Sequence, residues 1–190
     1  MFVVLQYTCV TIKTELIRLL HKNFMIIKNE LLAGITIALA TFTWLCLEFI
    51  FGLHDRYIDY YMYISNLVYI LPVIGIHWAI KKRFYALPPG EFQIKDGLMS
   101  GVIVFVTAAF ANLFFQYVFV KYINPDFFGN MIAVSAKKAI MTGDNSIVAI
   151  QEAQEYYNLS SYLIQGFTTF LILGLFISLM LSFRLVKKGK

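Results

Sequence analysis

The sequence predicts an all-α, polytopic membrane protein. Four transmembrane helices form two parallel helical-hairpin repeats, with short interfacial helices between spans three and four. Three observations predict this. First, 59% of the 190 residues are hydrophobic and 14% charged, with a mean hydropathy of +0.71. A soluble domain carries about 25% charged residues, so lipid must cover much of this surface. Second, four apolar stretches are long enough to cross a bilayer, which takes about 20 helical residues. Third, Lys95-Asp96-Gly97-Leu98-Met99-Ser100-Gly101 echoes Lys28-Asn29-Glu30-Leu31-Leu32-Ala33-Gly34.

Residues 1–29 form an N-terminal segment. Phe2 to Ile12 is apolar but too short to span. From Ile12 to Lys22 the pattern is amphipathic, with Ile12, Leu16 and Leu19 on one face, as in an interfacial helix. Met25, followed by Ile-Ile-Lys-Asn-Glu-Leu, also reads as a natural start, which would make residues 1–24 an upstream extension.

Residues 30–183 form one transmembrane domain. Its spans are about 31–53, 60–80, 97–120 and 162–183, with an intervening segment at 121–161 and a basic tail at 184–190. Span one holds one ionisable group, Glu48. Pro72 lies inside span two and predicts a kink. Asn124-Pro125-Asp126 predicts a turn that ends span three. Gly143-Asp144-Asn145-Ser146 predicts a second turn and a helix cap. Two short helices, on the membrane or over the bundle mouth, are expected between spans three and four.

Twelve of the 16 Lys and Arg residues fall before span one, in the 81–95 link or in the tail. The positive-inside rule puts both termini and that link in the cytoplasm. Tyr57, Tyr60, Tyr61, Tyr63, Tyr156, Tyr157 and Tyr162 then form an outer interfacial belt, with His77 and Trp78 near the inner boundary.

Spans one and three share Lys, Leu and Gly at a constant offset, and Gly75 aligns with Gly174 between spans two and four. Both halves begin on the same side, so the repeat is parallel. Gly97 and Gly101 form a small-residue packing motif, with Gly34 and Gly174 as further helix-packing positions.

The net charge of +5 does not point to nucleic acid, because the basic residues flank apolar spans instead of forming one patch. Cys9 and Cys46 imply no disulfide framework. There is no G-x-S-x-G, P-loop, H-E-x-x-H or paired-carboxylate motif. No catalytic residue, cofactor or metal is therefore assigned, and an enzyme is not expected. His77 is a lone histidine, and His54, Asp55 and Asp59 are too sparse for a metal site. Asn158-Leu159-Ser160 matches a glycosylation sequon.

Polar groups within the spans gather in one half. At 1.5 Å per residue, Glu48 lies about 25 Å from the start of span one, and Asn112 and Gln116 about 22 and 28 Å from Gly97. Asn66 and Gln165 lie in the first two turns of their spans. A shallow pocket around Glu48, roofed by the 121–161 segment, follows from these depths. The alternative is that Glu48 reaches water and the amides bond neighbouring helices.

The Lys28–Gly34 start, its echo at Lys95–Gly101, Asn124-Pro125-Asp126-Phe127 and the basic tail resemble an uncharacterised bacterial family of four-span inner-membrane proteins, a domain of unknown function. The resemblance covers about Met25 to Lys190. It implies four spans and a bacterial envelope, with no activity. The expected role is a structural, assembly or interaction component of a membrane complex. Its partners would be the bilayer and a second copy or another membrane protein. The alternative is a small transporter or channel using the Glu48 pocket.

Overall fold

A computed structural model describes the backbone of residues 2–189 and the side chains of residues 24–188. Among these residues the protein is all-helical. Four segments are long and apolar enough to cross a membrane: Phe24–Ile50, Ile58–Ala86, Ile94–Ile123 and Leu159–Lys188. This is a multi-pass membrane protein. Backbone groups have no water partner in hydrocarbon, so a spanning chain must close its hydrogen bonds within helices.

The first helix, α1 (Phe2–Ile50), is continuous from the N-terminal segment into span one. The side chains of the amphipathic stretch lie outside the described residues. Gly52, in the left-handed region at φ +73°, turns the chain out of α1.

Span two is assembled from α2 (Ile58–Ser65), a 3₁₀ turn (Asn66–Tyr69) and α3 (Ile70–Ala86). The expected effect of Pro72 is seen one turn earlier. Proline has no N–H for the carbonyl of Val68, and the helix tightens to 3₁₀ there. Leu87, ahead of Pro88, is extended, which ends α3.

Span three is α4 (Ile94–Val118), opened by the Gln93 N–H donating to Asp96 Oδ2 at 2.9 Å. It runs into a π-helical turn, Phe119–Ile123, that ends at Asn124. Then α5 (Phe127–Thr142) closes on Gly143 at φ +79°, with the Asp144 N–H returning to the Ala139 carbonyl at 2.8 Å. Asn145 caps α6 (Ser146–Tyr156) by accepting from the Ile147 N–H at 3.0 Å. Asn158 caps α7 (Leu159–Gly189), accepting from the Ser161 N–H at 3.0 Å. The sequon asparagine is thus already engaged in a helix start.

The fourth span, α7, packs along α4, which also packs on α1 and α3. Small residues set these approaches. A Cβ at Gly34 would lie 2.6 Å from the Val104 carbonyl oxygen of α4, and one at Gly75 would lie 2.5 Å from Ile37 of α1. Gly97 and Gly101 face Ser182 and Ser178 of α7, and Gly174 faces Phe105 of α4. Where lipid replaces water, such close packing supplies much of the association.

The main core joins Ile37, Ile76, Ile80, Val104, Phe105 and Phe170. At one end, the end with Arg83 and Arg184, Phe84 stacks edge-on against Phe92. At the other, Leu45, Phe119, Phe127 and Met131 form a second cluster that holds the start of α5 against spans one and three.

Candidate functional site

Glu48 stands in the last turn of α1 and is 3% exposed. The Trp44 Nε1–H, one turn earlier, donates to its Oε1 at 2.5 Å. Its Oε2 lies 3.4 Å from both His54 Nε2 and the Ser65 Oγ of α2. A buried carboxylate is costly unless such donors surround it. Glu48 is therefore buried among donors, and the alternative in which it reaches water does not hold.

His54 is the least expected member. It lies in the turn after α1 and is 1% exposed. Asn124, past the π-helical turn, places Nδ2 3.2 Å from His54 Nδ1, and Asn130 of α5 donates to the His54 carbonyl at 2.9 Å. With the Asn124 amide nitrogen as donor, the ring proton sits on Nε2 and points at Glu48. The imidazole meets Tyr61, Phe119 and Phe127 edge-on, at ring-centre distances of 5.2, 5.5 and 5.0 Å. The loop after α1 is thus pinned to the start of α5.

Beside Glu48 lies a cavity of about 280 Å³. Span one contributes Thr41, Trp44 and Glu48. Span two contributes Tyr61, Ser65 and Tyr69. Asn112 and Gln116 come from α4, Tyr162, Gln165 and Thr169 from α7, and Tyr156 from α6. Four of the five sequence-predicted polar residues, Glu48, Asn112, Gln116 and Gln165, therefore face one space. Asn66 does not. It is exposed, donates to the Met62 carbonyl at 2.7 Å, and lines a neighbouring space of about 230 Å³. The 3₁₀ turn that begins at Asn66 rotates it away, and Ser65 takes the inward position.

Gln116 lies against Gly166, where a Cβ would come within 2.6 Å of it, and its Oε1 is buried without a hydrogen-bond partner. Asn112 is 2% exposed. None of the described residues lining the cavity is Lys or Arg. Tyr61 and Tyr162 also turn inward, whereas Tyr57, Tyr60, Tyr63 and Tyr156 keep the exposure expected of an interfacial belt. Tyr157 lines the neighbouring space, where burial raises its phenol above its ordinary pKa and Tyr156 adds to the effect. The cavity sets one buried carboxylate among amides, hydroxyls and aromatic faces, an arrangement suited to a small polar cation.

A family model described as a protein of unknown function (DUF4199) matches residues 32–187. The chain belongs to the DUF4199 family. The DUF4199 match takes in every residue of the Glu48 cavity. No curated protein and no solved structure matches the chain.

A second charged site escaped the sequence reading. At the opposite end, Arg83 Nη1 donates to Glu30 Oε1 at 3.0 Å, and the two residues are 15% and 2% exposed. Glu30 Oε2 is buried without a partner. Among the described residues, no three His, Cys, Asp or Glu side chains converge as metal ligands would.

Proposed function

We propose that this DUF4199 protein is a non-enzymatic carrier that receives a small organic cation in the Glu48 cavity. The observation that carries the reading is Glu48 itself. It is a carboxylate 3% exposed, beside a polar cavity walled by Tyr61, Tyr69, Tyr156 and Tyr162 and without Lys or Arg in its lining. Aromatic faces and a carboxylate together recognise ammonium groups. The volume of about 280 Å³ suits a solute of few heavy atoms.

We place both termini on the cytoplasmic side, on the distribution of basic residues, and take the membrane to be a bacterial inner membrane, as the sequence resemblance implies. The cavity then opens outward under α6. The parallel repeat belongs to the same reading. Gly75 against Ile37 in the first hairpin and Gly174 against Phe105 in the second support it.

The test is titration of the purified protein in mild detergent with tetramethylammonium and tetraethylammonium, followed by tryptophan fluorescence from Trp44. Saturable quenching is expected, weakened about tenfold or more in Glu48→Gln by loss of the charge. Equal saturation in Glu48→Gln would refute the assignment. Uptake into vesicles then separates carriage from binding alone.

A second reading, a structural or assembly component of a membrane complex, is favoured by the tip of the α5–α6 hairpin. Ile140, Met141, Ile147 and Val148 are exposed there, outside any span. A partner or second copy retained in mild detergent, and lost in Ile140→Ser with Met141→Ser, would favour this role.

A further inference from the structure

The Glu30–Arg83 pair lines a cavity of about 220 Å³ between α1 and α3, together with Asn29 and Lys82. Directly along the same seam lies an apolar groove of about 400 Å³, lined on α1 by Leu32, Thr36 and Ala40 and on α3 by Leu71, Ile74 and Trp78. The two continue one another: 29, 30, 32, 36 and 40 run one way on α1 while 83, 82, 78, 74 and 71 run alongside on α3. Leu32 to Ala40 covers about 12 Å at 1.5 Å per residue, most of one leaflet of a core about 30 Å thick. Lys82 Nζ sits 4.7 Å from the centre of the Trp78 ring, and both side chains are exposed. A tryptophan beside a lysine marks headgroup level.

The seam therefore carries both signs of charge at headgroup level and an apolar trough below. We propose that it holds one phospholipid with a primary ammonium in its headgroup. The phosphate meets Lys82 and Arg83, the ammonium meets the Glu30 carboxylate, and an acyl chain lies in the Leu32–Trp78 groove. The charges select this class. An anionic headgroup alone leaves Glu30 facing like charge. A quaternary ammonium has no N–H for Glu30 Oε2, which is buried and lacks a donor. Arg83 is free to bridge, since one guanidinium nitrogen holds Glu30 and the other only the Met99 sulfur at 3.7 Å.

The experiment is native mass spectrometry of the full chain in mild detergent. Phosphatidylethanolamine, phosphatidylcholine and phosphatidylglycerol of equal chain length are supplied in turn, and soluble phosphoethanolamine as competitor. Phosphatidylethanolamine should be retained about tenfold better than phosphatidylcholine, from the added charged hydrogen bonds. Glu30→Gln should erase that preference. Because Glu30→Gln also disturbs a buried pair, two exposed positions give independent tests. Lys82→Ala should weaken retention of every phospholipid, and Thr36→Phe, which fills the groove, should do the same. Glu48→Gln should change none of this, so the proposal stands or falls separately from the Glu48 cavity. Equal retention of the three lipids by the unaltered protein would overturn it, as would unchanged retention in both Lys82→Ala and Thr36→Phe. Displacement by equimolar phosphoethanolamine would assign the cavity to a soluble amino phosphate instead. A lipid-free dimer split by Thr36→Phe would assign the seam to a second copy.

Discussion

Gly101→Ala should destabilise the bundle by about 2 kcal/mol. A Cβ at residue 101 overlaps the Ser178 side chain and lies 3.5 Å from the Ser178 Cα. Ser178 cannot swing clear, because it is fully buried and its hydroxyl is tied to the Gly174 carbonyl at 2.6 Å. Carbon atoms settle at about 3.5–4.0 Å, so α4 and α7 must part by on the order of 1 Å. That movement also loosens Gly97 on Ser182 and Gly174 on Phe105. Overpacking costs about 1–3 kcal/mol, and the spread of the damage selects the upper part of that range. Replacing glycine with alanine inside a helix returns about 1 kcal/mol, which leaves about 2. Ser178→Gly removes both overlapping atoms, so Gly101→Ala should be neutral or stabilising in that background, with a coupling of about 2–3 kcal/mol. The assay is a double-mutant cycle of unfolding in mixed micelles titrated with SDS, read by loss of helicity. The reasoning fails if Gly101→Ala costs the same with and without Ser178.

Three further outcomes are expected. Arg83→Met should cost about 3–5 kcal/mol, because Glu30 is left charged and buried without a partner, and adding Glu30→Gln should recover most of it in the same unfolding assay. His54→Ala should cost on the order of 3 kcal/mol, from the void among Tyr61, Phe119 and Phe127 and the donor lost to Glu48, with hydrogen exchange rising first in α5. Asn145→Ala should cost about 1 kcal/mol of local stability, seen as faster exchange of the amides from Ile147 to Ala149 while global unfolding is unchanged.

The four spans were legible because a bilayer imposes a length and a hydropathy that few other constraints mimic. The turns at Asn124–Asp126 and Gly143–Ser146 were legible because proline, glycine and asparagine impose local geometry. Depth arithmetic also brought Glu48, Asn112, Gln116 and Gln165 to one level. What stayed hidden was azimuth, the direction in which each residue faces around its helix. Asn66 and Ser65 are neighbours in sequence, and a 3₁₀ turn decided which of them points inward. Tyr61 and Tyr162 looked like belt residues because depth alone does not separate an inward tyrosine from an outward one. The Glu30–Arg83 pair joins residues 53 positions apart, each of which reads alone as an ordinary membrane-edge charge. His54 to Asn124 was beyond reach for the same reason, and with it the partners that let Glu48 stay buried.

The His54–Asn124 contact bears on how the protein is made. Asn124 lies 70 positions beyond His54. A chain that stops short of span three holds Glu48 and His54 without Asn124, Phe119 or Phe127. The far ring nitrogen still lacks its amide, and no phenylalanine cage has yet arrived. Span three must be threaded and its π-helical turn formed before that polar knot is tied off. The burial of Glu48 and His54 in the first hairpin is thus completed only by residues of the second half of the chain.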